Sequence, residues 1–281
     1  MSLAQSLRAK PITRLEGTDR TACDDLLAVE EPLEIRVGGR SVAVVMRTPG
    51  NDRELAAGFL VTEGIVRHRD DVLDIVRCTA GEAAAEASRG NIVDVLLAPG
   101  ASVDLDRLTR HVFTSSSCGI CSKATIDAVR AQFAPLVPTC GPAREVIAAL
   151  PEKLHAAQAG FAASGGLHAS ALFSLDGTLE QVREDVGRHN ALDKVIGHAF
   201  FAEQLPLAER ILLVSGRVSF ELMQKALAAG IPCVAAISAP TTAAVEFAVA
   251  SGQTLVGFVR ASTRAGGAGS RMNVYAGTLA E

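Results

Sequence analysis

The chain has 281 residues, 48% of them hydrophobic, with no Trp, one Tyr and a formal net charge of −4. That supplies a substantial core for one large domain or two smaller ones, but no global positive field for a nucleic acid. No apolar run reaches the roughly 18 residues of a membrane span, and scattered Cys in a chain of this size do not form a disulfide framework.

Taken in order, residues 1–22 are expected to be a flexible tail. Its first residues lack the basic-then-apolar plan of a signal peptide, so a reducing, cytoplasmic location is expected. Leu33, Ile35 and Val37 alternate with polar residues, Gly38-Gly39 turns, and 42–46 returns, which predicts a hairpin. Asp52 is expected to cap a helix carrying Leu55, Phe59 and Leu60, with Gly64 closing it. Residues 74–97 read as two strands around a loop at 79–90. Together 23–115 form a smaller α+β N-terminal domain.

Residues 116–142 carry Cys118-Gly119-Ile120-Cys121 and a following helix with Ile126, Val129 and Phe133 on one face. Pro135, Pro138, Gly141 and Pro142 punctuate its end and mark a domain boundary. Residues 143–281 form the second domain. Ile147, Leu150 and Leu154 predict a helix that Pro151 kinks or splits. Asp176-Gly177 turns a hairpin. Asn190 is expected to cap the next helix. Buried strands at 211–214, 233–237 and 254–259 then alternate with a helix capped by Ser219 and another from about Thr242. Such alternation implies right-handed crossovers and parallel pairing, hence an α/β/α sandwich opened by an antiparallel hairpin. The Gly-rich stretch 265–269 reads as a flexible loop before 272–275.

Two segments concentrate chemistry. Cys118 and Cys121 lie among serines in a loop feeding a helix N-terminus, where partial positive charge stabilises a thiolate. Zinc binding, dithiol exchange, plain burial, or a nucleophilic thiol that carries a group all use such a pair. Cys23, Cys78, Cys140 and Cys233 are isolated, so no second pair completes a closed zinc site. The surrounding serines argue against burial. The second concentration lies at the carboxyl ends of the predicted parallel strands, where open sheets bind ligands. Ser215-Gly216-Arg217, Ser238 to Thr241 and Arg260 fall there, with His168 and the 184–190 loop beside them. Arg188, Arg217 and Arg260 can fork onto phosphates; each can equally be a surface cation paired with a carboxylate. His168 and His189 suit acid/base work or a hydrogen-bonded loop role equally. A zinc deaminase site needs His-x-Glu and Pro-Cys-x-x-Cys. His168 is followed by Ala169-Ser170, and Pro232-Cys233 by Val234-Ala235-Ala236, so no such metal site can be written.

Several blocks together carry a resemblance. They are 49–60 (Pro-Gly-Asn-Asp-Arg-Glu-Leu), Ser116-Ser117-Cys118-Gly119-Ile120-Cys121, Gly165-Gly166-Leu167-His168, 184–194 (Glu-Asp-Val-Gly-Arg-His-Asn), 215–221, and Gly257-Phe258-Val259-Arg260. In these the chain resembles the FdhD family of formate dehydrogenase accessory sulfurtransferases, over about residues 25–278. The resemblance implies a carboxy-terminal half similar to cytidine deaminases without their zinc. It implies passage of sulfur from a cysteine desulfurase to the molybdenum (or tungsten) bis-molybdopterin guanine dinucleotide cofactor needed by formate dehydrogenase. Cys118 matches the family's persulfide cysteine, and Cys121 can release its sulfur. The family's cofactor segment falls on Phe258, Val259, Arg260, Ala261, Ser262 and Thr263. Arg188, His189, Ser215 and Arg217 are expected to hold the dinucleotide pyrophosphate. Where the family runs quickly to Asn-Val-Tyr, residues 261–271 intervene here before Asn273-Val274-Tyr275. Expected partners are the desulfurase, formate dehydrogenase and a second copy of the chain. A non-catalytic chaperone that binds the cofactor is the alternative.

Overall fold

The computed structural model describes residues 3–78, 90–101, 133–137, 141–261 and 269–280. A short helix α1 (Leu3–Ser6) leads into β1 (Leu7–Glu16) and β2 (Asp19–Ala28), which pair antiparallel. The stretch 1–22, expected as a loose tail, therefore supplies most of a hairpin. Almost all of its residues are exposed on both sides, so it carries no alternating apolar signal.

Next come β3 (Glu31–Val37), β4 (Arg40–Arg47), helix α2 (Asp52–Thr62), β5 (Val72–Arg77) and β6 (Ile92–Leu97). They make a sheet of order β4-β3-β6-β5, in which only β3 and β6 run parallel. Leu33, Ile35, Val42, Ile75, Val93 and Val95 face inward and are buried. Asp52 does not cap α2. Asn51 holds that position with φ 58°, and the Asp52 carboxylate accepts from Arg47 Nε at 2.9 Å and Arg77 Nη2 at 2.5 Å.

After β7 (Gly141–Ala143), helices α3 (Arg144–Ala157) and α4 (Ala159–Ser164) follow; Pro151 sits inside α3, which continues past it. Strands β8 (His168–Ser174) and β9 (Leu179–Asp185) form the predicted hairpin. Helix α5 (Arg188–Phe201), β10 (Arg210–Val214), α6 (Phe220–Ala228), β11 (Cys233–Ala236), α7 (Thr242–Ser251), β12 (Thr254–Arg260) and β13 (Arg271–Ala276) complete the second sheet. Its order is β13-β12-β11-β10-β8-β9. As expected, β10, β11 and β12 are parallel. The last strand, β14 (Leu279–Ala280), pairs with β7.

Side-chain alternation gives the second sheet two apolar faces. Leu172, Leu212, Val214 and Val234 face the α5–α7 side. Phe173, Ile211, Leu213 and Ala235 meet Ile147, Leu150 and Leu154 of α3. The first cluster is continuous with the first sheet, because α2 packs directly on α5. The two helices touch through glycines: a Cβ on Gly58 would lie 1.8 Å from the Asp193 carbonyl oxygen, and one on Gly197 would lie 1.8 Å from that of Glu54. Backbone cannot yield as a side chain tip can. Gly197→Ala should therefore cost at least the roughly 1–3 kcal/mol of ordinary overpacking. Urea unfolding should show a much lower midpoint; an unchanged midpoint would mean that the helices part easily.

Candidate functional site

The carboxyl ends of β10, β11 and β12 open on one side of the second sheet, and the start of β8, antiparallel to β10, lies beside them. The loops that leave these strands are tied together. Ser215 N donates to Ala169 O at 3.0 Å, and Ala169 N donates to Ser215 Oγ at 2.9 Å. Val218 N donates to Ala239 O at 3.1 Å, and Phe258 N to Ser238 O at 3.1 Å. Ser219 caps α6, as its position after the strand predicts, accepting from Leu222 N.

Helix α5 brings Arg188 and His189 to the same end. A buried polar knot fixes where it starts. Lys194 Nζ lies 2.7 Å from Asp185 Oδ2, both side chains being fully buried. Lys194 also donates to Thr48 O at 2.9 Å, while Asp185 accepts from Thr48 N at 3.1 Å and Gly187 N at 2.8 Å. Asn190 is not the cap, since Gly187 precedes the first turn; its amide donates to Met46 O at 2.7 Å and Asp185 Oδ1 at 3.0 Å. The block 184–194 thus clamps the second sheet to the loop after β4, a role invisible in local sequence.

His189 is buried, with Nε2 3.2 Å from Ser219 Oγ and 3.7 Å from Glu221. Burial, and then the charges of Lys225, Arg188 and His168, push its pKa down to about 3, so the ring is neutral at pH 7. His168 is lowered too, by burial and by Arg188, with Asp185 acting the other way. Arg188 Nε is buried without a hydrogen-bond partner. Arg217 is exposed. Arg260 Nη1 donates to the carbonyls of Ile237 and Val259.

Phe258 has φ 52°, an outlier for a bulky residue, in a strand whose pairing is irregular between Gly257 and Arg260. A conformation of this kind costs on the order of 1–3 kcal/mol and gathers at functional sites. Gly257 allows the crowding beside it: a Cβ there would meet Pro240 Cδ at 2.9 Å and Tyr275 at 3.0 Å.

Of the sequence-predicted residues, Arg188, His189 and Ser215 come together, Arg217 lies one residue past Gly216, and Phe258, Val259, Arg260 and Ala261 end the neighbouring edge. Val259 itself is buried in the α3-side core. Cys118, Cys121, Ser262 and Thr263 lie outside the described residues. Gly216, unremarkable as a turn residue in sequence, proves to be the point where His168 and Arg188 meet. Among the described residues no cluster of three or more His, Cys, Asp or Glu is placed to hold a metal, and no helix is long and apolar enough to cross a membrane. Cys233 is a core residue whose burial pushes its thiol up to about 12, far from a usable nucleophile.

The sequence model of the FdhD/NarQ family matches residues 28–279. The chain belongs to the FdhD/NarQ family. Among its FdhD relatives, the sulfur carrier protein FdhD of Streptomyces avermitilis is 50% identical over 273 residues, 96% of this chain and 93% of that protein. The protein of that name from Mycobacterium tuberculosis is 53% identical over 256 residues, covering 89% and 90%. A crystal structure of a candidate formate dehydrogenase accessory protein from Desulfotalea psychrophila shares the fold, with a TM-score of 0.70, 23% identity and 96% coverage of each chain.

Proposed function

We propose that this protein is a sulfur carrier that passes sulfur from a cysteine desulfurase to the molybdenum or tungsten bis-molybdopterin guanine dinucleotide cofactor of formate dehydrogenase. The relatives bearing the sulfur-carrier name, matched along nearly the whole chain, support the role. The observation that supports the ligand class is Arg188, whose Nε is buried without a partner at the strand ends of an acidic protein. A buried guanidinium nitrogen without a partner is costly and suits a site built for an anion. Arg217, exposed one residue past Gly216, and the Arg260 fork suit further phosphate oxygens. The parallel strands with helices on both faces accord with a cytidine-deaminase-like sandwich in residues 143–281, beside the smaller α+β unit at 23–115. We take the protein to act in the cytoplasm as a homodimer.

In this reading the Cys118 thiolate attacks the outer sulfur of the desulfurase persulfide. The donor S–S bond breaks, the donor cysteine leaves as thiolate, and Cys118 carries the persulfide. Cys121 then attacks the Cys118 sulfur and expels sulfide beside the metal. That leaves a disulfide for a cellular thiol to reduce. The client cofactor is the substrate of the transfer, and the segment Phe258 to Thr263, apart from the core-facing Val259 side chain, holds it with Arg188, His189, Ser215 and Arg217. Incubation with a desulfurase and cysteine should add about one sulfur to the intact mass, removable by reductant and mapping to the Cys118 peptide. Absence of loading with nucleotide binding intact would favour a cofactor chaperone instead.

Arg260 is held at the strand end by the carbonyls of Ile237 and Val259 and is exposed. A charge-assisted contact of this kind is worth roughly 1.5–3 kcal/mol. Arg260→Ala should then weaken GDP binding by about ten- to a hundredfold, and Arg260→Lys should restore only part. Calorimetric titration with CDP as control checks this; equal affinities in all three proteins would remove Arg260 from the site.

A further inference from the structure

His168 opens β8 and Arg188 opens α5, and the two meet across Gly216. A Cβ on Gly216 would stand 3.3 Å from His168 Nδ1 and 3.5 Å from Arg188 Cδ. With no side chain there, ring and guanidinium stem approach the Gly216 backbone from two sides. Among the described residues, neither the His168 ring nor the Arg188 guanidinium makes a hydrogen bond or ion pair, and Arg188 Nε is buried. Ser170, on the same side of β8 as His168, also keeps a buried Oγ without a partner. Unsatisfied buried polar atoms of this kind are rare in native proteins and call for a partner.

We infer that His168 and Arg188 form a proton-linked phosphate site, in which a bound phosphate group draws one proton from solvent onto His168. This rests on reading the strand ends as a nucleotide site, and adds to it that the ligand enters with a proton. Among the described residues, three charged or titratable groups face the ring: Arg188 and His189 from α5, and Asp185 from β9. Asp185 is already held by Lys194. In the free protein, burial and Arg188 keep the imidazole neutral. A phosphate anion offsets the guanidinium charge and accepts from the protonated ring, so the proton affinity of His168 rises on binding. The sign follows from linkage: a ligand that binds with a proton binds more weakly as pH rises, by up to about tenfold per pH unit.

The test is calorimetric titration of GDP into the full chain between about pH 7 and 8.5, where the terminal phosphate, with its second pKa near 6, stays dianionic and adds no protons of its own. Buffers of low and high ionisation enthalpy read the protons taken up. The parent should approach one proton per GDP and lose affinity steeply with pH. His168→Gln, which retains a hydrogen-bonding side chain, should bind with no proton uptake and little pH dependence. GDP binding by the parent without proton uptake would overturn the inference and leave the nucleotide site standing. No GDP binding by the parent would overturn both. Uptake that persists in His168→Gln would place the proton elsewhere and overturn it as well. The parent measurement decides even if the variant folds poorly.

Discussion

Cys118→Ala is expected to abolish sulfur loading and formate dehydrogenase maturation while leaving the protein folded. Thiolate attack on the donor persulfide needs the sulfur itself, and no neighbouring hydroxyl substitutes for it. Cys118 is flanked by Ser115, Ser116, Ser117 and Gly119, a small and polar setting. Substitutions away from packed or buried polar features change stability by about 0.5 kcal/mol or less, so the melting temperature should move by no more than about 2 °C. Intact-mass analysis and a maturation assay check the first part, and a thermal melt the second. Loading at the parent rate would remove Cys118 from the role. Cys121→Ala should load normally but release slowly; complete loss of loading there would make Cys121 the acceptor.

Lys194→Met is expected to lower folding stability by about 3–5 kcal/mol, because it leaves the fully buried Asp185 carboxylate without its cation. The same change removes a donor from the Thr48 carbonyl and so loosens the clamp between the first sheet and α5. Asp185→Asn with Lys194→Met should recover part of the loss, since no uncompensated charge remains. Urea unfolding of both single variants and the double gives the coupling energy directly. A single-variant loss under about 0.5 kcal/mol would show that the pair contributes nothing beyond packing.

The parts of the fold that were legible in sequence are those set by local chemistry. Gly38-Gly39 and Asp176-Gly177 turn hairpins where expected, and Ser219 caps α6. The apolar runs of β10 to β12, separated by helices, gave their parallel order. Asp52 and Asn190 are good cap residues by type, but distant groups claim their side chains: two guanidinium groups for Asp52, the Met46 carbonyl and Asp185 for Asn190. Nothing within a few residues reveals that competition. The hairpin at 7–28 carries no such signal, because a ribbon exposed on both sides shows no alternation. The topological rule put Ser215 and Arg260 at the ends of β10 and β12, where the strands do end. It could not see that Gly216 spaces His168 from Arg188, or that Phe258 is held at positive φ, because a glycine after a strand reads as a turn and a phenylalanine near a strand end reads as strand.

The crossing of α2 and α5 has a mechanical consequence. Most helix pairs meet through side chains, a compliant layer that lets them slide or tilt by an ångström or two. Here Gly58 and Gly197 put backbone against backbone, and Thr62, Asp193 and Lys225 lock the crossing at a second point. The first contact has no side-chain layer to give way, and the second adds buried side-chain hydrogen bonds to it. Arg188 opens the same helix that carries Asp193 and Gly197. A displacement of α2 is therefore expected to shift α5, and Arg188 at its start, with little slack between the helices.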